Sequence, residues 1–342
     1  MTERIKWVDY SKSFGIFLVV LGHAGLPDNI RSIFYAFHIP LFFFLAGLFF
    51  DYDKFSGYFS FFRRRFFQLI VPYLFFNLIT YLFWLFIGRH TGKDALTSTN
   101  ATLPLVGILY GNASSLPHNV PLWFLTCLFT VENLYFILFR TIQNKKTILI
   151  IALILLSLIG FIDYRLDIFR LPWGINMAFV VIGFYGIASI FRKQFLKNPN
   201  NKLKLIFLSF LAFAIVIVVA DVNGKIEVSD HQYGNYLLFF TGAAAGILFI
   251  ISLSRLLVLY RVNSLFLEYV GRNSLIVFGF HLLAGSFIKA ITLYLFKIPL
   301  SIYELCYIQI IYSILSISIL IPFIFILNKY FPFLIGKTRI MK

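Results

Sequence analysis

The chain has 342 residues, of which 60% are hydrophobic and only 13% charged, with a mean hydropathy of +0.87 and a formal net charge of +16. A soluble domain of this size needs a charged surface that this composition does not supply, so the class is an all-α polytopic membrane protein. The positive residues lie in short segments between apolar runs, which reads as an orientation signal facing anionic lipid and argues against a nucleic-acid partner.

About ten transmembrane helices are expected, over residues 14–26, 33–50, 67–87, 120–139, 147–162, 175–191, 203–220, 236–253, 274–296 and 305–327. The first apolar run is too short for a hydrocarbon core of ~30 Å. Its helix is therefore expected to begin near Trp7, with Trp7 and Tyr10 at headgroup level. Arg4 and Lys6 ahead of a stretch ending "GHAG" give this segment a superficial likeness to a secretion signal. With many spans following, it reads as a retained first helix. If the N-terminus is cytoplasmic, 22 Lys and Arg fall on the inner side. The other eight, Arg31, Arg89, Lys93, Arg165, Arg170, Lys225, Lys289 and Lys297, fall outside. That bias supports an even number of spans with both termini cytoplasmic. The longest loop, 88–119, is expected outside, and its piece "LPLVGILYG" is too short to span, so it is interfacial or re-entrant. The chain ends in a basic tail, "GKTRIMK", and a single membrane domain over 1–342 is expected.

Ionisable groups inside spans are costly, which makes each one a functional candidate. Lys12 and His23 are eleven positions apart, so they share one helix face about 16 Å apart along the axis. Asp9 lies one turn before Lys12 and is expected to pair with it. Gly15 and Gly22 share a face and permit close approach. His38, in "FHIPLFFFLAGLFF", lies at a depth similar to that of His23 on the next span, so the two are expected to cluster. Imidazole is the side chain suited to accept a proton near neutral pH. A third intramembrane histidine, His281, is open between a structural and a catalytic role. No carboxylate or thiol is placed by sequence to complete a metal site, and Cys127 and Cys306 lie inside apolar runs, so no metal is expected. Arg63, Arg64 and Arg65 open the third span, either as an orientation signal or as guanidinium forks for ligand phosphates. Trp123 reads as an interfacial aromatic, while Glu132, well inside its span, needs a partner or a wet path.

Together, "VDYSKSFGIFLVVLGHAG", "FHIPLFFFLAGLFF", "FRRRFFQLIVPY", "PLWFLTCLF", "LPWGINMAFVVIGFYGIAS" and "GRNSLIVFGFHLL" resemble acyltransferase family 3, the integral-membrane O-acyltransferases, in its fucose 4-O-acetylase-like branch. The resemblance covers nearly the whole chain. It implies that the family's pattern of a basic residue and a following histidine falls on Lys12 and His23, with His23 the catalytic histidine. The family tends to carry two arginines three apart before the proline of span three. Here the first matches Arg65, and Gln68 stands at the second.

The resemblance implies a multi-pass protein of the bacterial plasma membrane that moves an acetyl group from cytoplasmic acetyl-CoA to a hydroxyl of an envelope sugar or polysaccharide. The donor is a substrate, and no tightly bound cofactor is expected. On this reading His23 is the general base and His38 orients it or assists the oxyanion. Lys12 and Arg63–Arg65 receive the CoA phosphates, while Asp9, Trp123, Glu132 and His281 are supporting candidates. The alternative is a transporter or flippase for lipid-linked glycans with histidine proton relays, which the lack of an evident internal repeat disfavours.

Overall fold

The computed structural model describes residues 4–91, 100–143, 145–167, 169–197 and 201–337. Lys93, Arg339 and Lys342, which entered the charge count, lie outside the described residues. The helices in chain order are α1 (Lys6–Gly22), α2 (Asp28–Tyr35), α3 (His38–Gly47), α4 (Tyr58–Arg65), α5 (Val71–Phe86), α6 (Leu103–Tyr110), α7 (Trp123–Ile142) and α8 (Lys146–Leu166). There follow α9 (Ile175–Ile190), α10 (Arg192–Leu196), α11 (Lys202–Asn223), α12 (Tyr236–Leu259), α13 (Leu265–Arg272), α14 (Ser274–Ala290), α15 (Cys306–Ser318) and α16 (Ile321–Tyr330). Nine helical stretches among the described residues are long and apolar enough to cross a membrane. The molecule is an all-α polytopic membrane protein, as its composition requires. The tenth expected span is α1, which begins at Lys6 beside Trp7 and has 17 residues. At 1.5 Å per residue it is about 26 Å long, just under the ordinary spanning length.

The chain divides into two compact units, one of Met1–Phe50, Phe184–Val228 and Gln232–Leu320, the other of Asp51–Gly183, Ser229–His231 and Ile321–Lys342. In the first unit α1 is the central element and touches α3, α12, α13, α14 and α15. Its burial is nearly all-round: Trp7, Tyr10, Ile16, Val19, Val20 and Leu21 are in the core. Gly271 of α13 admits the backbone carbonyl of Asp9 where any Cβ would overlap it. Ser11 ties α1 to α12 by donating to Ser254 Oγ at 2.9 Å.

The span expected as one helix over 33–50 is broken. Helix α2 ends at Tyr35, Phe37 has φ −144° and ψ −17°, and α3 begins at His38. Pro40 gives the reason, because its ring lacks an N–H and collides with the carbonyl four residues back, that of Ala36. Phe37, thrown out of register, is buried against Gly246 of α12, which has no Cβ to obstruct it.

In the second unit, a π-helical segment, Phe66–Ile70, joins α4 to α5. Pro72 follows it and removes the bond to the Gln68 carbonyl, which accounts for the bulge. The "LPLVGILYG" piece is the short helix α6, with Leu103, Val106 and Leu109 exposed. Its backbone is anchored by Tyr73, whose hydroxyl donates to the Ile108 carbonyl at 2.7 Å, and by Trp173 Nε1, which donates to the Leu109 carbonyl at 2.8 Å. Helix α8 shows a long apolar face, including Ile148, Ile151, Leu155, Ile159 and Ile162, of the kind that lipid covers.

Candidate active site

His23 is the C-cap of α1, where the helix ends in the turn His23–Ala24–Gly25 with Gly25 at φ +100°. The turn is pinned by Gln309 of α15, fully buried, whose Nε2 donates to the Gly25 carbonyl at 2.9 Å and to the Tyr303 carbonyl at 2.8 Å. Leu21, Ala24, Leu26 and Tyr312 pack together beneath it. These contacts hold the turn while leaving the imidazole open. His23 is exposed between buried neighbours, Gly22 and Ala24, and no group among the described residues bonds to either ring nitrogen.

The ring beside it is that of His281. The two ring centroids are 5.4 Å apart, with planes at 44°. His281 sits on α14, buried, with Nδ1 2.9 Å from the Phe278 carbonyl. A carbonyl can only accept, so Nδ1 carries the proton and Nε2 carries the lone pair. That Nε2 is buried without a hydrogen-bond partner among the described residues. The sequence expected His23 and His38 to cluster; the ring in contact with His23 is that of His281, 258 positions away.

His38 stands behind Tyr35. Their ring centroids are 4.7 Å apart, and His38 Nδ1 donates to the Phe34 carbonyl at 2.8 Å, bridging the break between α2 and α3. Tyr35 in turn lies against Gly22, where a Cβ would stand 2.8 Å from Tyr35 Cε2. Its hydroxyl is 3.5 Å from the Gly22 carbonyl. Tyr35 therefore touches both the His38 ring and Gly22, the residue before His23.

Three turns back along α1, Lys12 is half-buried, with Nζ over the Phe49 ring at 5.7 Å. The expected pairing with Asp9 is not found. Asp9 Oδ2 lies 3.2 Å from Arg272 Nε and 3.4 Å from Arg4 Nε, because α13 brings Arg272 directly alongside. Glu268 completes this cluster with Arg272 and Lys6. Among the described residues no carboxylate lies within ion-pair distance of Lys12, so its ammonium is available to a ligand.

The arginine triplet divides by role in the second unit. Arg63 and Arg64 are exposed, with Arg64 over Phe55. Arg65 turns inward: its Nε is 3.1 Å from Glu132 Oε2, its Nη1 donates to Gln68 Oε1 at 2.9 Å, and it lies over the Phe61 ring. This is the partner that the buried Glu132 required. Trp123, read as interfacial, is instead 3% exposed in the core of this unit.

Two polar clusters of the second unit were not legible. His231, fully buried, has Nε2 2.8 Å from Asp163 Oδ2, which also accepts from Asn176 Nδ2 at 2.8 Å. Burial, with Arg170 nearby, depresses its pKa to about 4 against the opposing pull of Asp163. His118 Nε2 donates to Asn77 Oδ1 at 2.8 Å, and burial lowers its pKa to about 4. Both contacts join segments too far apart in sequence for spacing to reveal them.

A family model described as an acyltransferase domain matches residues 5–334. No curated protein and no solved structure matches the chain. The six motifs fall inside the matched region, as do both ends of α1, and the chain belongs to acyltransferase family 3.

Proposed function

We propose that this membrane acyltransferase transfers an acetyl group from acetyl-CoA to a hydroxyl of an envelope sugar, with His23 as general base, in the bacterial plasma membrane. The observation that carries the reading is the open imidazole of His23 against the buried lone pair of His281. His23 takes the proton of the acceptor hydroxyl as its oxygen attacks the thioester carbonyl. The neighbouring lone pair on His281 stabilises the imidazolium so formed. Collapse of the tetrahedral intermediate breaks the carbon–sulfur bond, and the thiolate leaves with the proton returned by His23. The products are the acetyl ester and CoA. His38 acts through Tyr35 as a positioning residue.

Lys12 is the anionic carrier's contact on the first unit, about 16 Å along α1 from His23 on the same face. Its unpaired ammonium supports this role better than a surface orientation signal does. Arg63 and Arg64, exposed guanidinium groups of the second unit, are proposed separately as phosphate forks on their chemistry alone. Family membership favours this enzyme over the glycan transporter. Purified His23→Ala is expected to lose labelled-acetyl transfer by a factor of about 10²–10⁴ while inserting and eluting like the wild type. Turnover retained in that variant refutes the base.

A further inference from the structure

A cavity of about 380 Å³ opens in the first unit between α2, the C-terminal end of α11 and the segment 224–227. Its size is that of a small-molecule site. The wall alternates charge and amide, with Asp28, Asp221 and Glu227 against Arg31 and Lys225, and Asn29 beside them. Arg31 is already committed to Asp28, Nη2 to Oδ1 at 2.6 Å. Carboxylates outnumber cations, and Ile217, Ala220 and Tyr35, whose ring lies under the Arg31 guanidinium, add apolar lining. Such a lining disfavours an anion and offers both acceptors and donors beside apolar groups. That is the complement of a pyranose, which presents hydroxyls at its edge and C–H groups on its face.

The cavity also adjoins the candidate chemistry. Tyr35 lines it and on its other side touches the His38 ring and Gly22, the residue before His23. Tyr35 thus belongs both to the cavity lining and to the contacts of the residue that precedes the base. Arg31 and Lys225 belong to the face that the charge count assigns to the outside.

We propose that this cavity is the acceptor subsite and that it takes a neutral sugar unit, free or lipid-linked, in preference to an acidic one. The proposal rests on the acetyl-transfer reading above and names its substrate class. Asp221 and Glu227 accept hydrogen bonds from sugar hydroxyls and Lys225 donates to a ring or hydroxyl oxygen, next to Tyr35, whose ring carries the Arg31 guanidinium and packs on His38.

The test uses the full-length protein in detergent with labelled acetyl-CoA. The acceptors are N-acetylglucosamine, glucose and glucuronic acid, plus N-acetylglucosamine carried on polyprenyl diphosphate to separate a soluble from a lipid-linked source. The wild type is expected to acetylate the neutral sugars in preference to glucuronic acid. Asp221→Asn with Glu227→Gln should raise the acceptor KM about tenfold or more with little change in kcat. Asp221→Lys, at an exposed position that tolerates substitution, should shift preference toward glucuronic acid. A wild-type preference for the acidic sugar overturns the proposal. So does an acceptor KM unmoved in both variants, and in that case the transfer reading stands. If the wild type acetylates no sugar at all, the reading and the subsite fall together.

Discussion

His23 and Arg65 show how differently two charged or chargeable side chains can be used within one membrane protein. His23 sits at a helix end with its ring open, held by the turn rather than by bonds to the ring itself. Arg65 is enclosed: the ion pair with Glu132 has side-chain exposures of 18% and 3%. Removing one partner of such a pair strands the other charge, at a cost of about 3–5 kcal/mol. Arg65→Ala and Glu132→Ala should each lower the thermal unfolding midpoint in detergent sharply, and the double replacement with Met and Leu should recover most of the loss. If Arg65→Ala instead keeps its stability and only raises the acetyl-CoA KM, Arg65 is a ligand residue and the ion pair is incidental. The sequence marked Glu132 as needing a partner but had no means to choose Arg65, since the bulge at Phe66–Ile70 alters the helix phase that spacing assumes. It had likewise no means to prefer His281 over His38, because helix adjacency in the chain is only one route to contact.

At the scale of the element, the break between α2 and α3 is the feature on which the site's arrangement depends. Proline is tolerated in the first turn of a helix and disruptive inside one, so "FHIPLFFF" fits either an unbroken span or a fresh start. The tertiary structure decides by giving Phe37 a place against Gly246. Gly246→Leu puts atoms where the Phe37 ring lies. It is expected to destabilise the protein by about 1–3 kcal/mol and to lower acetyl transfer through His38 and Tyr35. A variant with wild-type melting and turnover would show that the break does not need this contact. The apolar lengths of most spans, the start of α1 and the failure of 103–111 to span were readable because hydropathy acts locally, whereas Trp7 and Tyr10, expected at headgroup level, are buried in the core.

For the molecule as a whole, composition and charge bias were enough to give the all-α membrane class, and the family match extends from residue 5 to 334. What they did not reveal were contacts between distant segments, such as His231 with Asp163. These bear on stability against pH. His118 and His231 titrate near 4 when folded and near 6.5 when unfolded. The unfolded chain therefore binds more protons between those values, and stability is full above pH 6.5 and lost as pH falls toward 4. Melting in detergent across that window should show the decline, and His231→Asn should flatten part of it; an unchanged slope would assign the loss to other groups.

The tautomer of His281 has a further consequence. Among the described residues no carboxylate lies within ion-pair distance of either ring of the pair, and on the proposed mechanism the proton His23 takes is handed back within one cycle. No net electrical charge crosses the bilayer in a turnover of this kind, because a neutral acyl group goes one way and a hydrogen atom's equivalent leaves on sulfur the other. On the proposed mechanism catalysis draws on thioester energy alone and is expected to run at the same rate with and without a membrane potential.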